Sequence, residues 1–318
     1  MDDKLLDVKG LTKYFKSPRG IVHAVEDVSF SIGRGKTLGV VGESGCGKST
    51  TGRCVLRLIE PTAGEVFYDG VDICKLKRKQ MLERRRDMQI IFQDPYSSLN
   101  PSSTVMETIA KPLKLNNIIP NASKKDIENR VLELMDTVGL AERLINTYPH
   151  ELDGGRRQRI GIARALAMEP KFIVCDEPVS ALDVSIQAQI LNLLKKLQRE
   201  MGLTYMFITH DLSVVKHISD DILVMYLGKV VEKAPVDELF DNPMHPYTKA
   251  LLSAILIPDL DANPERIQLR GEVMSPLDPP NECRFAGRCD YACSECMAGE
   301  PPLVEVSPNH FVACFKAK

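Results

Sequence analysis

The 318-residue chain has no run of 18 or more apolar residues, so no segment reads as a bilayer crossing. It also lacks an excess of either charge. Its 41 basic and 43 acidic side chains leave a formal charge of −2, against a dedicated nucleic-acid binder, whose domain would be strongly basic. The opening MDDKLLDVKG has neither the basic nor the apolar part of a signal peptide, so the expectation is a protein that stays where it is made. Internal repeats and low-complexity tracts are missing too. Cysteine is sparse through the first 280 residues, where only Cys46, Cys54, Cys74 and Cys175 occur.

Hydrophobic residues make up 44% of the chain and charged residues 26%, the balance of a globular protein with a proper core. Composition then shifts toward the end. Cys283, Cys289, Cys293, Cys296 and Cys314 crowd into the last 36 residues, and eleven of the twenty prolines lie between Pro235 and Pro308. Both shifts predict a boundary near residue 240, with a regular domain over 1–240 and a loop-rich module over 241–318. Without a secretory signal, the cysteine cluster reads as metal or redox chemistry before a disulfide frame.

Short apolar runs alternating with amphipathic ones predict an α/β fold. Thr37–Gly42, Met88–Gln93, Phe172–Glu177, Thr204–His210 and Asp221–Gly228 read as strands, the first four as buried ones. His23–Ile32 alternates and ends in GRG, closer to an antiparallel strand with a turn. From about Pro101 to Pro170 the periodicity is helical, in IENRVLELMDTVGL and IGIARALAM, and predicts a separate helical lobe. Lys75–Arg86 (KLKRKQMLERRR) is a basic stretch, read as a solvated helix face, with contact to anionic lipid as the alternative.

Gly42–Thr50 reads GESGCGKST and fits GxxxxGK[ST], between an apolar strand and a helical run. Gly42, Gly45 and Gly47 let backbone N–H groups curl around phosphates, with Glu43, Ser44 and Cys46 between them, and the helix N-terminus adds a favourable field. Lys48 would reach the β- and γ-phosphates of ATP, the Ser49 hydroxyl would ligate Mg²⁺, and Thr50 follows. Asp176 and Glu177 close the strand Phe172–Cys175. Downstream of a phosphate-binding loop, one such acid helps hold Mg²⁺ and the other polarises the attacking water.

Further pieces complete a pattern: Gln93 in IFQDPYSSLNP, ELDGGRRQR over Glu151–Arg159, Ser180–Asp183 after Glu177-Pro178, and His210 in TYMFITHD. In this order they resemble the ATP-binding subunit of ABC transporters over nearly the whole chain. GRCVLRLIEPTAGEVFYDG, FQDPYSSLNP and HPYTKALLSAI are similar to the peptide and nickel importer branch, within it to the F-type ATPase of oligopeptide and dipeptide permeases. The resemblance implies a P-loop ABC ATPase domain with a RecA-like core, an antiparallel β subdomain and a helical subdomain over about 95–170, then a small Cys-rich C-terminal module. It implies ATP hydrolysis coupled to transport at the cytoplasmic face of the membrane. The implied partners are a sister ATPase, two membrane permease subunits and, indirectly, a substrate-binding protein, with no nucleic acid. Di- or oligopeptide is the implied cargo, and nickel or another small solute is the alternative. A soluble ABC ATPase acting on ribosomes or DNA is the rival class, but this chain lacks the tandem domains or long coiled coil of those types.

By the same resemblance Gln93 lies in the Q-loop, which contacts Mg²⁺, water and the membrane subunit. Ser49, Gln93 and Asp176 hold Mg²⁺, Glu177 is the general base, and His210 is the γ-phosphate switch. Ser180–Asp183 form the D-loop, with Asp183 at the nucleotide. Phe15 is the adenine-stacking aromatic, with Tyr14 as the alternative.

The pattern breaks at the signature. The family motif is LSGGQ, and here Leu152-Asp153-Gly154-Gly155-Arg156 stands in its place. Asp153 puts a carboxylate where a serine would donate to the γ-phosphate of the opposite site. Two unit charges about 4 Å apart at an effective dielectric near 20 repel by roughly 4 kcal/mol, before Mg²⁺ or Arg156 soften it. The simpler role is a helix cap, and both can hold together. The expectation is a heterodimer with one competent and one impaired site.

CRFAGRC, EPPL and HFVAC resemble the C-terminal module of peptide-importer ATPases, some of which hold a [4Fe–4S] cluster on four cysteines. The resemblance assigns Cys283, Cys289, Cys296 and Cys314 as the ligands of such a cluster, with structural Zn²⁺ or metal-free thiols as alternatives. Cys293 lies near enough to compete as a ligand.

Overall fold

The computed structural model describes residues 4–255, 266–271 and 274–317. The described chain forms two compact units, Met1–Lys75 with Phe207–Lys318, and Leu76–Met206. The strand Thr204–Ile208 carries the chain from the second back to the first.

The first unit contains a four-stranded antiparallel sheet in the order Gly20–Gly33, Lys4–Ser17, Ala63–Tyr68, Val71–Asp72. Leu6, Val8, Leu11, Val28, Phe30, Ile32, Val66 and Tyr68 give it a buried apolar face. Alternation placed His23–Ile32 correctly in this sheet, whereas the partner strand Lys4–Ser17 gave no such signal. Four register shifts interrupt its pairing with Gly20–Gly33, and each breaks the two-residue alternation that marks a strand.

The same unit carries strands in the order Val304–Ser307, His310–Val312, Lys229–Pro235, Asp221–Tyr226, Thr37–Val41. Thr37–Val41 runs parallel to Asp221–Tyr226, with Val41 beside Val224. Every residue of Thr37–Val41 is buried, which explains its unbroken apolar run. A Cβ at Gly39 would stand 2.3 Å from Val215 Cγ1, so glycine lets the helix Leu212–Ile218 lie close on the sheet.

The C-terminal residues pack onto this core. Phe285 of CRFAGRC is buried with its ring 5.2 Å from Tyr226 and 5.5 Å from both Tyr247 and His245. Aromatic contacts of this kind contribute about 0.5–1.5 kcal/mol each beyond area burial. Glu232 is fully buried and accepts N–H groups from Met244 (2.7 Å) and His245 (3.0 Å), with His310 Nε2 at 2.8 Å. These contacts satisfy a carboxylate that would otherwise be costly to bury.

His245 is 2% exposed and caps the helix Pro246–Ser253 by accepting the Tyr247 N–H at its Nδ1, 3.1 Å away. Burial pushes its imidazole down to about 3. The folded state therefore keeps the ring neutral while the unfolded chain takes up a proton below about pH 6.5. Stability held above that pH is lost as pH falls toward the folded value, by up to about 1.4 kcal/mol per pH unit. His245→Asn, which retains a capping side chain, is expected to remove that part of the slope. Urea unfolding at pH 7, 6 and 5 checks it, and parallel slopes for the two proteins would contradict it.

In the second unit, Met88–Ile91 runs parallel to Phe172–Asp176, with Thr204–Ile208 on the far side of the latter. Between the first two lie the helices Val105–Leu115, Lys124–Thr137 and Gly154–Leu166 of the predicted helical stretch. Thr104 with Glu107, and Ser123 with Asp126, form capping boxes that start the first two. The basic stretch forms the helix Arg78–Asp87, with Met81 its buried residue.

All five predicted core strands are present, and each stops one or two residues before its predicted end. Gly42, Gln93, Glu177 and His210 therefore lie just beyond strand C-termini, where an open α/β sheet presents its ligand-binding residues.

Candidate functional site

Gly42–Gly47 turns the chain from the strand Thr37–Val41 into the helix Lys48–Val55, with Gly47 as N-cap at φ 102°. A Cβ at Gly42 would stand 2.2 Å from the Met225 carbonyl oxygen, and one at Gly47 2.2 Å from that of Ala24. Glycine is required at both positions by backbone approach as well as by positive φ. The helix carries no acidic residue in its first turn, so its positive end remains available to an anion. Lys48 is 4% exposed, and its Nζ donates to the carbonyls of Gly42 (2.7 Å) and Glu43 (2.9 Å). The ammonium is thus held over the loop. Cys46 within the loop is buried, which raises its thiol above the usual range.

Glu43 has partners on every side. Its N–H donates to Tyr247 Oη at 2.8 Å, and its carboxylate takes both Arg288 nitrogens, Nη1 at 2.7 Å and Nη2 at 3.2 Å. Sequence reasoning singled out HPYT and CRFAGRC as family motifs but missed that Tyr247 and Arg288 reach this loop. They are separated from Glu43 by 204 and 245 residues, and no local pattern signals such a contact.

Elsewhere in the first unit, Phe15 is 38% exposed with Lys13 Nζ 4.9 Å from its ring centroid. Tyr14 instead lies against His23, ring centroids 4.1 Å apart, and His23 Nδ1 meets Glu26 at 2.7 Å. Of the two candidate aromatics, Phe15 is the exposed one. The Thr209 N–H donates to the Val40 carbonyl at 3.1 Å, which brings His210 to the end of the strand that leads into the loop.

In the second unit, Asp176 is 1% exposed at the end of its strand. Glu177 follows at φ 47°, a left-handed conformation unusual for a non-glycine residue and often found at working sites. Gln93 Nε2 donates to Glu177 Oε2 at 2.9 Å across 84 positions of sequence, so two predicted site residues meet. Asp153 caps the helix Gly154–Leu166 by accepting the Arg156 N–H at 2.8 Å, and Arg156 Nε stands 3.4 Å from its other oxygen. Side chains added at Gly154 and Gly155 would press on Leu182 and Ile186. Asp183 caps the helix Val184–Met201 through the Ile186 N–H at 3.0 Å.

The sequence of the chain from residue 25 to 180 matches the ABC transporter family, and residues 231–296 match the C-terminal region of oligopeptide/dipeptide transporters. The oligopeptide transport ATP-binding protein OppF of Bacillus subtilis is 53% identical across 100% of this chain and 98% of its own. The chain belongs to the ABC transporter ATPases. OppF of Salmonella typhimurium is likewise 53% identical, over 98% of this ATPase and 92% of its own length. A putative peptide import ATP-binding protein of Brucella ovis is 50% identical over 98% of both chains. Among solved structures, a dimeric ATP-binding cassette in a post-hydrolysis state with ADP and Pi superposes with a TM-score of 0.67. It is 34% identical and covers 73% of this ATPase and 98% of that chain. The cbiO1 protein of Clostridium perfringens, part of a cbiONQ ABC transporter complex, gives a TM-score of 0.66 at 30% identity, covering 76% and 92%. Among the described residues, no helix of this ABC ATPase is long and apolar enough to cross a membrane.

The cysteine expectation fares differently. Among the described residues, no group of three or more His, Cys, Asp or Glu side chains is gathered to hold a metal ion. The assigned set Cys283, Cys289, Cys296 and Cys314 is thus not shown as a ligand site for [4Fe–4S] or Zn²⁺, although the Cys283 thiol lies near enough to the other three to feel their charge. Burial pushes the Cys283 thiol up to about 11 and raises those of Cys289 and Cys296. The pair in contact is Cys293 with Cys296, Sγ to Sγ 3.5 Å, and it includes the thiol that the predicted set left out.

Proposed function

We propose that this ABC ATPase powers peptide import through a membrane permease, paired with a sister ATPase on two membrane subunits at the cytoplasmic face. The observation that carries this is the match of residues 231–296 to the oligopeptide/dipeptide transporter C-terminal region, joined to identity above half with transport ATP-binding proteins named for oligopeptides. A groove of about 410 Å³ in the second unit, lined by Phe92, Lys111, Leu115 and Arg164 beside the Gln93 loop, supports docking of a membrane subunit there.

In this reading the loop amides of Gly42–Thr50 and Lys48 hold the phosphates of ATP, and Phe15 receives the adenine. Ser49, Gln93 and Asp176 offer the hard oxygen ligands that Mg²⁺ prefers, and the ion would neutralise charge on the phosphates. Glu177, oriented by Gln93, accepts a proton from the attacking water, and His210 senses the γ-phosphate. Asp183, Gly154 and Gly155 serve the partner's nucleotide. Asp153 weakens that second site, so the pair is an asymmetric heterodimer.

Affinity purification of the tagged chain from host membranes is expected to bring down two permease subunits and a second ATPase. Deleting its gene is expected to abolish uptake of a labelled tripeptide. Peptide uptake that survives deletion while Ni²⁺ uptake is lost would replace the peptide cargo with nickel.

A further inference from the structure

Glu43 puts a carboxylate inside a loop built to receive polyphosphate, and the chain answers it from far away in sequence. Its carbonyl accepts from Lys48 (2.9 Å), its N–H donates to Tyr247 Oη (2.8 Å), and both its carboxylate oxygens take the Arg288 fork. The Arg288 side chain is 10% exposed and also reaches the Tyr226 hydroxyl at 3.4 Å and the Arg270 carbonyl at 3.3 Å. A planar guanidinium held in this way neutralises a carboxylate and fixes its direction, which a mobile lysine does less well.

We propose that Arg288 and Tyr247 are positioning residues of the nucleotide site: Arg288 cancels the Glu43 charge that would repel phosphate, and Tyr247 holds the Gly42–Glu43 peptide through its N–H so that the Gly42 carbonyl faces Lys48. The C-terminal region thereby sets ATP affinity without touching ATP. Phe285, buried between Tyr226 and Tyr247 three residues before Arg288, anchors the segment that carries the guanidinium. The inference rests on the loop holding ATP phosphates, and Lys48→Ala tests that separately.

The test is Mg²⁺-dependent binding of N-methylanthraniloyl-ATP to the purified full chain at low salt, with melting temperatures measured alongside. Arg288→Gln is expected to weaken binding about tenfold, the equivalent of ~1.4 kcal/mol. In a Glu43→Gln background the same replacement is expected to cost less than about twofold, because the charge it uncovers is gone. Arg288→Lys keeps the charge and is expected to lose about threefold at most, and Tyr247→Phe about as much. Binding by Arg288→Gln within twofold of native, or a loss undiminished in the Glu43→Gln background, overturns the proposal. Should Arg288→Gln not fold, a loss in Arg288→Lys as large as that in Lys48→Ala overturns it. Failure of the native chain to bind, or of Lys48→Ala to lose binding, would instead sink the phosphate role of the loop.

Discussion

Replacing Glu177 by Gln is expected to lower ATP turnover about 10²–10⁴-fold while leaving ATP bound, the range for losing a general base. The amide keeps the size of the side chain and an oxygen that can accept the Gln93 hydrogen bond seen at 2.9 Å. It cannot take a proton. The backbone at Glu177, held at φ 47°, suits Gln no worse than Glu, so melting temperature should barely move. Phosphate release by the chain in the proposed assembly with a sister ATPase, beside a fluorescent-ATP titration, separates the two quantities. Turnover within tenfold of native would remove Glu177 from the role of base and leave Gln93 to position water alone.

Asp153→Ser is expected to act in the opposite direction, raising turnover of the chain tested alone by about tenfold or more. At roughly 4 Å and an effective dielectric near 20, full repulsion between unit charges would amount to ~4 kcal/mol. The actual effect is smaller. The Asp153 side chain is 58% exposed, and Arg156 Nε stands 3.4 Å from it. Serine is about as good an N-cap as aspartate, so the Arg156 N–H keeps an acceptor and the helix Gly154–Leu166 keeps its start. Adding Glu177→Gln to Asp153→Ser should return turnover to background, which ties the gain to the same chemistry. Brisk hydrolysis by the native chain, unchanged by Asp153→Ser, would show that the carboxylate is tolerated and that a symmetric pair is competent.

The residues behind these two predictions were legible because short local patterns could be set beside the family's motifs. Glu177 ends an apolar strand, and Asp153 precedes a glycine pair and a helical run; both patterns span fewer than ten residues. The contact between Gln93 and Glu177 was not legible, since nothing in either segment specifies the other. The cysteines were less legible: the family resemblance assigned Cys283, Cys289, Cys296 and Cys314, but sequence does not say where thiols point, and the thiol contact in the fold is Cys293 with Cys296.

By itself, the sequence determined the features that sterics and short periods dictate. Continuous apolar runs became the buried strands, glycines at 42 and 47 allowed a turn no other residue fits, and capping pairs such as Thr104 with Glu107 started helices. Tertiary structure alone decided which polar groups meet: Arg288 with Glu43, and Glu232 with His310, 78 residues away. The physical reason is that strand and helix signals are carried by neighbours along the chain and repeat with a fixed period. A buried ion pair depends on where the chain returns after packing, and many arginines were equally available to Glu43 until the core around Phe285 selected one.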